Sequence, residues 1–85
     1  MSNDEILAEV GDIIRATFRC PGVEVTRETS AIDIDGWDSL SHTNLIMDVE
    51  RKLAIQLPVE RMFDLADVGE LVDLVAEVLR GSDAG

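Results

Sequence analysis

Cysteine occurs once in the 85 residues, at Cys20, so the chain can form no internal disulfide and no cysteine-based zinc site. Positive charge is scarce as well: 7 Lys and Arg stand against 18 Asp and Glu, a formal net charge of -11. That balance repels nucleic-acid phosphates and anionic lipid surfaces, and so excludes nucleic acid and membrane as expected partners. It favours proteins with basic docking patches, which the field would steer into contact. No apolar run reaches the length of a membrane span. The first residues, "MSNDEILAEV", lack the basic stretch and apolar core of a secretion signal. No internal repeat or low-complexity tract interrupts the chain. These absences lead to the expectation of a soluble monomer in a reducing, cytoplasmic compartment.

What is present is helical. A hydrophobic content of 46% is too high for a disordered chain despite the charge, and the length suits one domain over residues 1–85. Ile6, Leu7, Val10, Ile13, Ile14 and Phe18 recur at helical spacing, which predicts a first helix from Asn3 to about Phe18. Ser2 and Glu5 have the spacing of a capping box at its start, and Cys20-Pro21-Gly22 should end it. A loop of roughly twenty residues follows, long for a compact domain. Val23, Val25, Ile32 and Ile34 are expected to pin it to the core. A second helix is predicted from Ser39 to about Leu53, with Leu40, Thr43, Ile46, Val49, Glu50 and Leu53 in period and Leu45 and Met47 widening the face. Pro58 opens a short third helix over Val59 to Asp64. A last helix runs from about Asp67 to Arg80 on Val68, Leu71, Val72, Val75, Val78 and Leu79. Gly81 should stop it and leave residues 81–85 as a tail, with about 3–80 ordered. The expected fold is all-α: a small antiparallel four-helix bundle, three helices long and one short, with a long loop between the first two.

The stretch "DIDGWDSLSH", Asp33 to His42, carries the chemistry-bearing residues. It fails as a calcium loop. With Gly36 at the obligatory glycine position, Ala31 would stand at the first ligand and His42 where a bidentate glutamate is needed. It fails as zinc chemistry, because one histidine and one distant cysteine make no ligand set. Ser39 and His42, three residues apart, could be neighbours on a helix, but the sequence around them is no Gly-x-Ser-x-Gly elbow, and so small a bundle offers little room for an oxyanion hole. An enzyme is not expected, and no catalytic or metal residue is assigned. Ser39 or Asp38 as a helix N-cap is the plain structural reading. A helix start would also favour a phosphate attached to Ser39, through its free amides and dipole.

The run "GWDSLSHTNLIMDVERKL", with Asp38-Ser39-Leu40 at a helix start, resembles the attachment site of the acyl carrier protein family. The likeness extends over nearly the whole chain, through the long loop, the short third helix and the final "DVGELVDLVAEVL" helix. It implies 4'-phosphopantetheine from coenzyme A, attached covalently to Ser39 by a phosphopantetheinyl transferase, and acyl intermediates carried on the arm as thioesters. The protein would be a discrete carrier phosphoprotein of fatty acid, polyketide or more specialised biosynthesis. The alternatives are an aminoacyl or peptidyl carrier loaded by an adenylating enzyme and, more remotely, an unmodified helical interaction module. The resemblance also implies partner recognition around the serine, at Trp37, Asp38, Leu40, His42, Met47 and Glu50, with Asp48 in the same negative face. Met62 and Phe63 are open to two readings, a pocket for the acyl chain or plain core. Arg51 and Lys52 make the serine-bearing helix less acidic than the rest of the chain, which points towards a dedicated pathway.

Overall fold

The computed structural model describes residues 1–84 of the chain, and side chains as far as Gly81. The described residues form four α-helices: α1 (Asn3–Thr17), α2 (Ser39–Leu53), the one-turn α3 (Val59–Met62) and α4 (Val68–Ala84). A single 3₁₀ turn, Ala31–Asp33, lies in the long loop, and no strand occurs among the described residues. The all-α bundle expected from periodicity is the fold observed.

Each helix begins as its sequence dictates. At α1 the Ser2 hydroxyl accepts from the Glu5 amide (3.2 Å) and the Glu5 carboxylate accepts from the Ser2 amide (2.8 Å). The same contacts hold the Glu5 carboxyl below its ordinary pKa, the Ser2 backbone amide contributing most. The helix ends are less orthodox. Arg19 (φ 54°) follows α1 and Ala54 (φ 56°) caps α2, both left-handed positions that glycine usually fills. Cys20-Pro21-Gly22 therefore follows a stop that Arg19 has already made. The Ala54 turn is closed by the Ile55 amide bonding back to the Glu50 carbonyl at 3.0 Å.

α1 packs on both α4 and α2. Ile6, Val10, Ile14, Leu45, Ile46, Val49, Val68, Leu71, Val72, Leu74 and Val75 form a core closed to solvent. Burying side chains of this size stabilises by roughly 1.5–3 kcal/mol each, before the entropy of ordering them. Thr17 at the end of α1 donates to Asp48 in the second half of α2 (2.8 Å), tying the two helices across the packed face.

The long loop is anchored rather than free. Its Ile34 is buried, Val23 and Val25 pack against the core, and Cys20 joins them as a small packing residue. Ile32 departs from expectation: it is 95% exposed, because the 3₁₀ turn rotates it outward while Ile34 turns in. The loop also supplies the start of α4. The amides of Val68 and Gly69 donate to the carbonyls of Thr29 and Arg27, both at 2.8 Å. Gly69 makes that approach possible, since a Cβ there would lie 3.1 Å from the Arg27 carbonyl oxygen and its Cβ.

Two further expectations are corrected. Helix α4 does not stop at Gly81 but continues to Ala84. A helical glycine costs only about 1 kcal/mol relative to alanine and forbids nothing when no proline follows; Gly85 lies outside the described residues. On α2 the inward face consists of Leu45, Ile46 and Val49, flanked by half-buried His42 and Leu53. Leu40 is therefore outside the core: the helical turn sets it on the far side of α2 from Val49, although the two share an approximate period.

Candidate functional site

The approach to α2 is a tight turn whose sharpest residue is Gly36, at φ 86°. Asp38 then caps the helix: its carboxylate accepts from the Ser41 amide (2.9 Å), and the Ser41 hydroxyl accepts from the Asp38 amide (2.8 Å). The hydroxyl hydrogen of Ser41 goes to the Gly36 carbonyl at 2.6 Å, so one small side chain ties turn and helix together. These contacts, the Ser41 amide first, hold the Asp38 carboxyl below its ordinary range, so it stays ionised. The spacing Asp38-x-x-Ser41 is the signal that marks this cap in the sequence.

Capping by Asp38 and Ser41 leaves Ser39 unencumbered. It is the first residue of α2, it is exposed, and its hydroxyl has no hydrogen-bond partner among the described residues. Its carbonyl alone is engaged, accepting from the Thr43 hydroxyl (3.1 Å). The hydroxyl thus stands outside the cap at the positive end of a 15-residue helix. A phosphodiester fits there on chemical grounds, with an accessible oxygen to bear it and a helix start to favour its charge.

His42 is not a base for this serine. Its Nδ1 accepts from the Trp37 indole N–H at 3.0 Å, and its Nε2 lies 2.6 Å from the Met62 carbonyl. The arrangement needs Nδ1 bare and the ring hydrogen on Nε2, donating to Met62. Both nitrogens are occupied inside the protein. Phe18, Trp37, His42 and Phe63 form a chain of stacked or tilted rings with centroids 5.2, 6.0 and 5.5 Å apart. The sequence offered no signal for this relay, which joins the end of α1, the loop, α2 and α3.

The remaining candidate residues divide by exposure. Leu40 (75% exposed) and Met47 (50%) share one outward stripe of α2, seven residues apart. Met62 belongs to the core, whereas Phe63 is largely exposed. Glu50 is half-buried, and its carboxylate accepts from the Leu57 amide (2.8 Å), bracing the turn after α2. Asp48 is held by Thr17, with Arg51 at 3.5 Å. Trp37, His42, Asp48 and Glu50 are therefore all engaged within the fold, while Asp38, Leu40 and Met47 face outward. Beside Ser39 lies an open cleft of about 300 Å³, lined among others by Trp37, His42, Phe63, Leu65, Val68 and Leu71. No cluster of three metal-ligating side chains occurs among the described residues.

Fold and site together define a class: a small helical bundle with an exposed serine at the first position of a helix. Comparison with known proteins gives that class its family. The family described as "Phosphopantetheine attachment site" matches residues 8–75. The acyl carrier protein of Acidothermus cellulolyticus is 32% identical over 76 residues, covering 89% of this chain and 90% of its own. That of Clostridium acetobutylicum is 33% identical over 70 residues, covering 82% and 91%. A solution structure of the holo acyl carrier protein from Geobacter metallireducens superposes with a TM-score of 0.81 at 42% identity, covering 89% of this chain and 87% of that one. The chain belongs to the phosphopantetheine-binding acyl carrier protein family. Covalently attached phosphopantetheine is the cofactor of that family, whose members are carriers rather than catalysts. Membership implies dealings with a phosphopantetheinyl transferase and with biosynthetic enzymes in general.

Proposed function

We propose that Ser39 is the attachment residue and that the protein is a discrete acyl carrier serving a dedicated biosynthetic pathway. The observation that carries this reading is the free Ser39 hydroxyl at the first position of α2, released by the Asp38–Ser41 cap. The hydroxyl oxygen attacks the pantetheine-side phosphorus of coenzyme A and forms the phosphodiester, the phosphoanhydride bond breaks, adenosine 3',5'-bisphosphate leaves, and the hydroxyl proton goes to the transferase. The ionised Asp38 keeps the helix start rigid during that encounter and offers a carboxylate edge beside the serine. When bound, the arm supplies a thiol that holds acyl groups as thioesters. Tethering raises the effective concentration of cargo at each docked enzyme.

Partner docking falls to the outward stripe of α2. Leu40 and Met47 supply apolar contact, and the surrounding negative field steers partners with basic patches. Three features favour a dedicated pathway. The first turn of α2 holds no acid, its last turn holds Arg51 and Lys52, and Asp48 and Glu50 are committed to internal bonds.

The test is direct. The protein is incubated with coenzyme A and a promiscuous phosphopantetheinyl transferase, and its intact mass is measured. One arm's mass should be gained by the native chain and none by Ser39→Ala. Failure to gain it, or gain that survives the substitution, refutes the assignment. Loading with acyl and with aminoacyl donors then distinguishes the two kinds of carrier.

A further inference from the structure

The three residues ahead of Ser39 are each tied to the first turn of α2. The Gly36 carbonyl accepts from the Ser41 hydroxyl, and the Asp38 amide and carboxylate close the cap with Ser41. Trp37, between them, is tied through its side chain, the indole N–H donating to His42 Nδ1 at 3.0 Å. The same imidazole donates from Nε2 to the Met62 carbonyl (2.6 Å), which anchors the turn to the end of α3. Phe18, stacked on Trp37 at 5.2 Å, adds the end of α1. Among these ties only the indole bond depends on an acceptor of the kind that changes charge between about pH 5 and 8.

We infer that His42 is a positioning residue for modification of Ser39, and that protonation of its ring loosens the turn and slows the transfer. The inference rests on attachment at Ser39 and adds a control over it. A neutral ring with Nδ1 bare makes both bonds. An imidazolium carries a hydrogen on each nitrogen, so it keeps the Met62 bond and loses the Trp37 one. The part-buried indole N–H is then left without its acceptor, and Trp37, two residues from the serine, is free to turn. Charged neighbours do not restore the bond. Asp38 and Asp67 line the same cleft as His42 and favour its charged form, but they are bonded to the amides of Ser41 and Glu70. On α3 and just after it, Arg61 is paired with Glu77, and Glu60 and Asp64 are exposed. Arg19 beyond α1 and Asp33 and Asp35 in the loop are exposed as well. These groups bias the pH at which the ring takes its proton, and none of them is bonded to the indole.

His42 and Trp37 are the single histidine and the single tryptophan of the chain, so each gives one unambiguous signal. The unmodified native protein is titrated by NMR from about pH 8 to about pH 5.5, following the imidazole ring and the indole N–H. Both should move with one midpoint, the indole proton leaving its hydrogen-bonded position as the ring charges. For the transfer itself, native protein and His42→Asn are mixed in equal amounts with coenzyme A and a promiscuous transferase, and each is followed by intact mass. The asparagine carbonyl replaces Nδ1 as an acceptor that does not titrate, and sharing one tube cancels the transferase's own pH dependence. The ratio of native to variant rates should fall about two- to tenfold over that range, the factor that one hydrogen bond is worth. The same competition in a Trp37→Phe background, where there is no indole donor to lose, should give a ratio that stays level. A merely structural role for His42 would change transfer by one factor at every pH. A level ratio for the native pair overturns the inference, and so does an indole signal that ignores the ring's titration, a result that needs no variant. Absence of added mass on the native chain at every pH would instead refute attachment at Ser39, so the two readings fail in different measurements.

Discussion

Among the described residues three sit at positive φ, and the same physics predicts opposite outcomes at two of them. Gly36 (φ 86°) has nothing within 4 Å of where a Cβ would stand, so the penalty of Gly36→Ala is purely conformational. An L-residue in the left-handed region loses about 1–2 kcal/mol. Alanine recovers about 0.4–1 kcal/mol of that by restricting the unfolded chain. Gly36→Ala should therefore destabilise by roughly 0.5–1 kcal/mol, with Gly36→Asn between the two because asparagine tolerates this region. Ala54 (φ 56°) is the mirror case, an exposed alanine in the conformation glycine prefers at a helix end. Ala54→Gly should stabilise by a similar amount, roughly 0.5–1 kcal/mol. For a domain of this size each kcal/mol moves Tm by about 4–8 °C, so both changes are measurable by thermal melts and by urea midpoints. Because the Gly36 carbonyl receives the Ser41 hydroxyl, Gly36→Ala should also slow phosphopantetheinyl transfer, while Ala54→Gly should not. An unaffected Gly36→Ala, or an Ala54→Gly that melts earlier than the native protein, would refute the reasoning.

Other perturbations test the division between inward and outward side chains. Glu50→Ala should cost about 1–3 kcal/mol by stranding the Leu57 amide, seen as a lower urea midpoint; a pure docking role would leave the midpoint unchanged. Leu40→Ser and Met47→Ser should keep Tm within a few degrees while weakening transferase binding, measured by titration calorimetry, because both side chains are already in water. Asp38 gives a pH signature. Its folded pKa lies below the ordinary value, so the stabilisation it provides is complete above the ordinary carboxylate range and is lost as pH falls through the folded pKa. Asp38→Asn keeps a capping oxygen without the titration, so Tm plotted against pH should fall less steeply on acidification than in the native chain. Glu5, bonded to Ser2, and Glu77, paired with Arg61, maintain part of the acid slope in both proteins. Added salt should slow association with partners more than it speeds dissociation, as read by stopped-flow mixing.

The helices were legible because their signals are local. Periodicity placed α1, α2 and α4, and the Ser2–Glu5 spacing marked a cap that is present. The limits of α2 agree from Ser39 to Leu53, yet its face does not: Leu40 and Leu45 are equally apolar on paper, and only packing in three dimensions, against α1 above all, decides which is buried. Ser39 was readable as the residue of interest from Asp38-Ser39-Leu40, but the freedom of its hydroxyl depends on Ser41 taking the reciprocal cap. The Trp37–His42–Met62 relay was illegible in principle, since it joins a loop, a helix and a later turn that meet only in three dimensions. Arg19 and Ala54 carry no residue signal for the left-handed turns they make, because neighbouring contacts rather than propensity hold them there.

The bonds from Val68 and Gly69 to Thr29 and Arg27 have a consequence for the order in which the protein matures. The first-turn amides of the last helix find their acceptors in a segment that precedes the serine. The loop cannot take its final path until the chain beyond Gly69 has been made, and the closure entropy of that connection is met late. On the ribosome, a nascent chain that exposes Ser39 but lacks α4 would display the recognition tripeptide without the turn that presents it. On the assignment proposed above, modification of Ser39 therefore waits until α4 has been made.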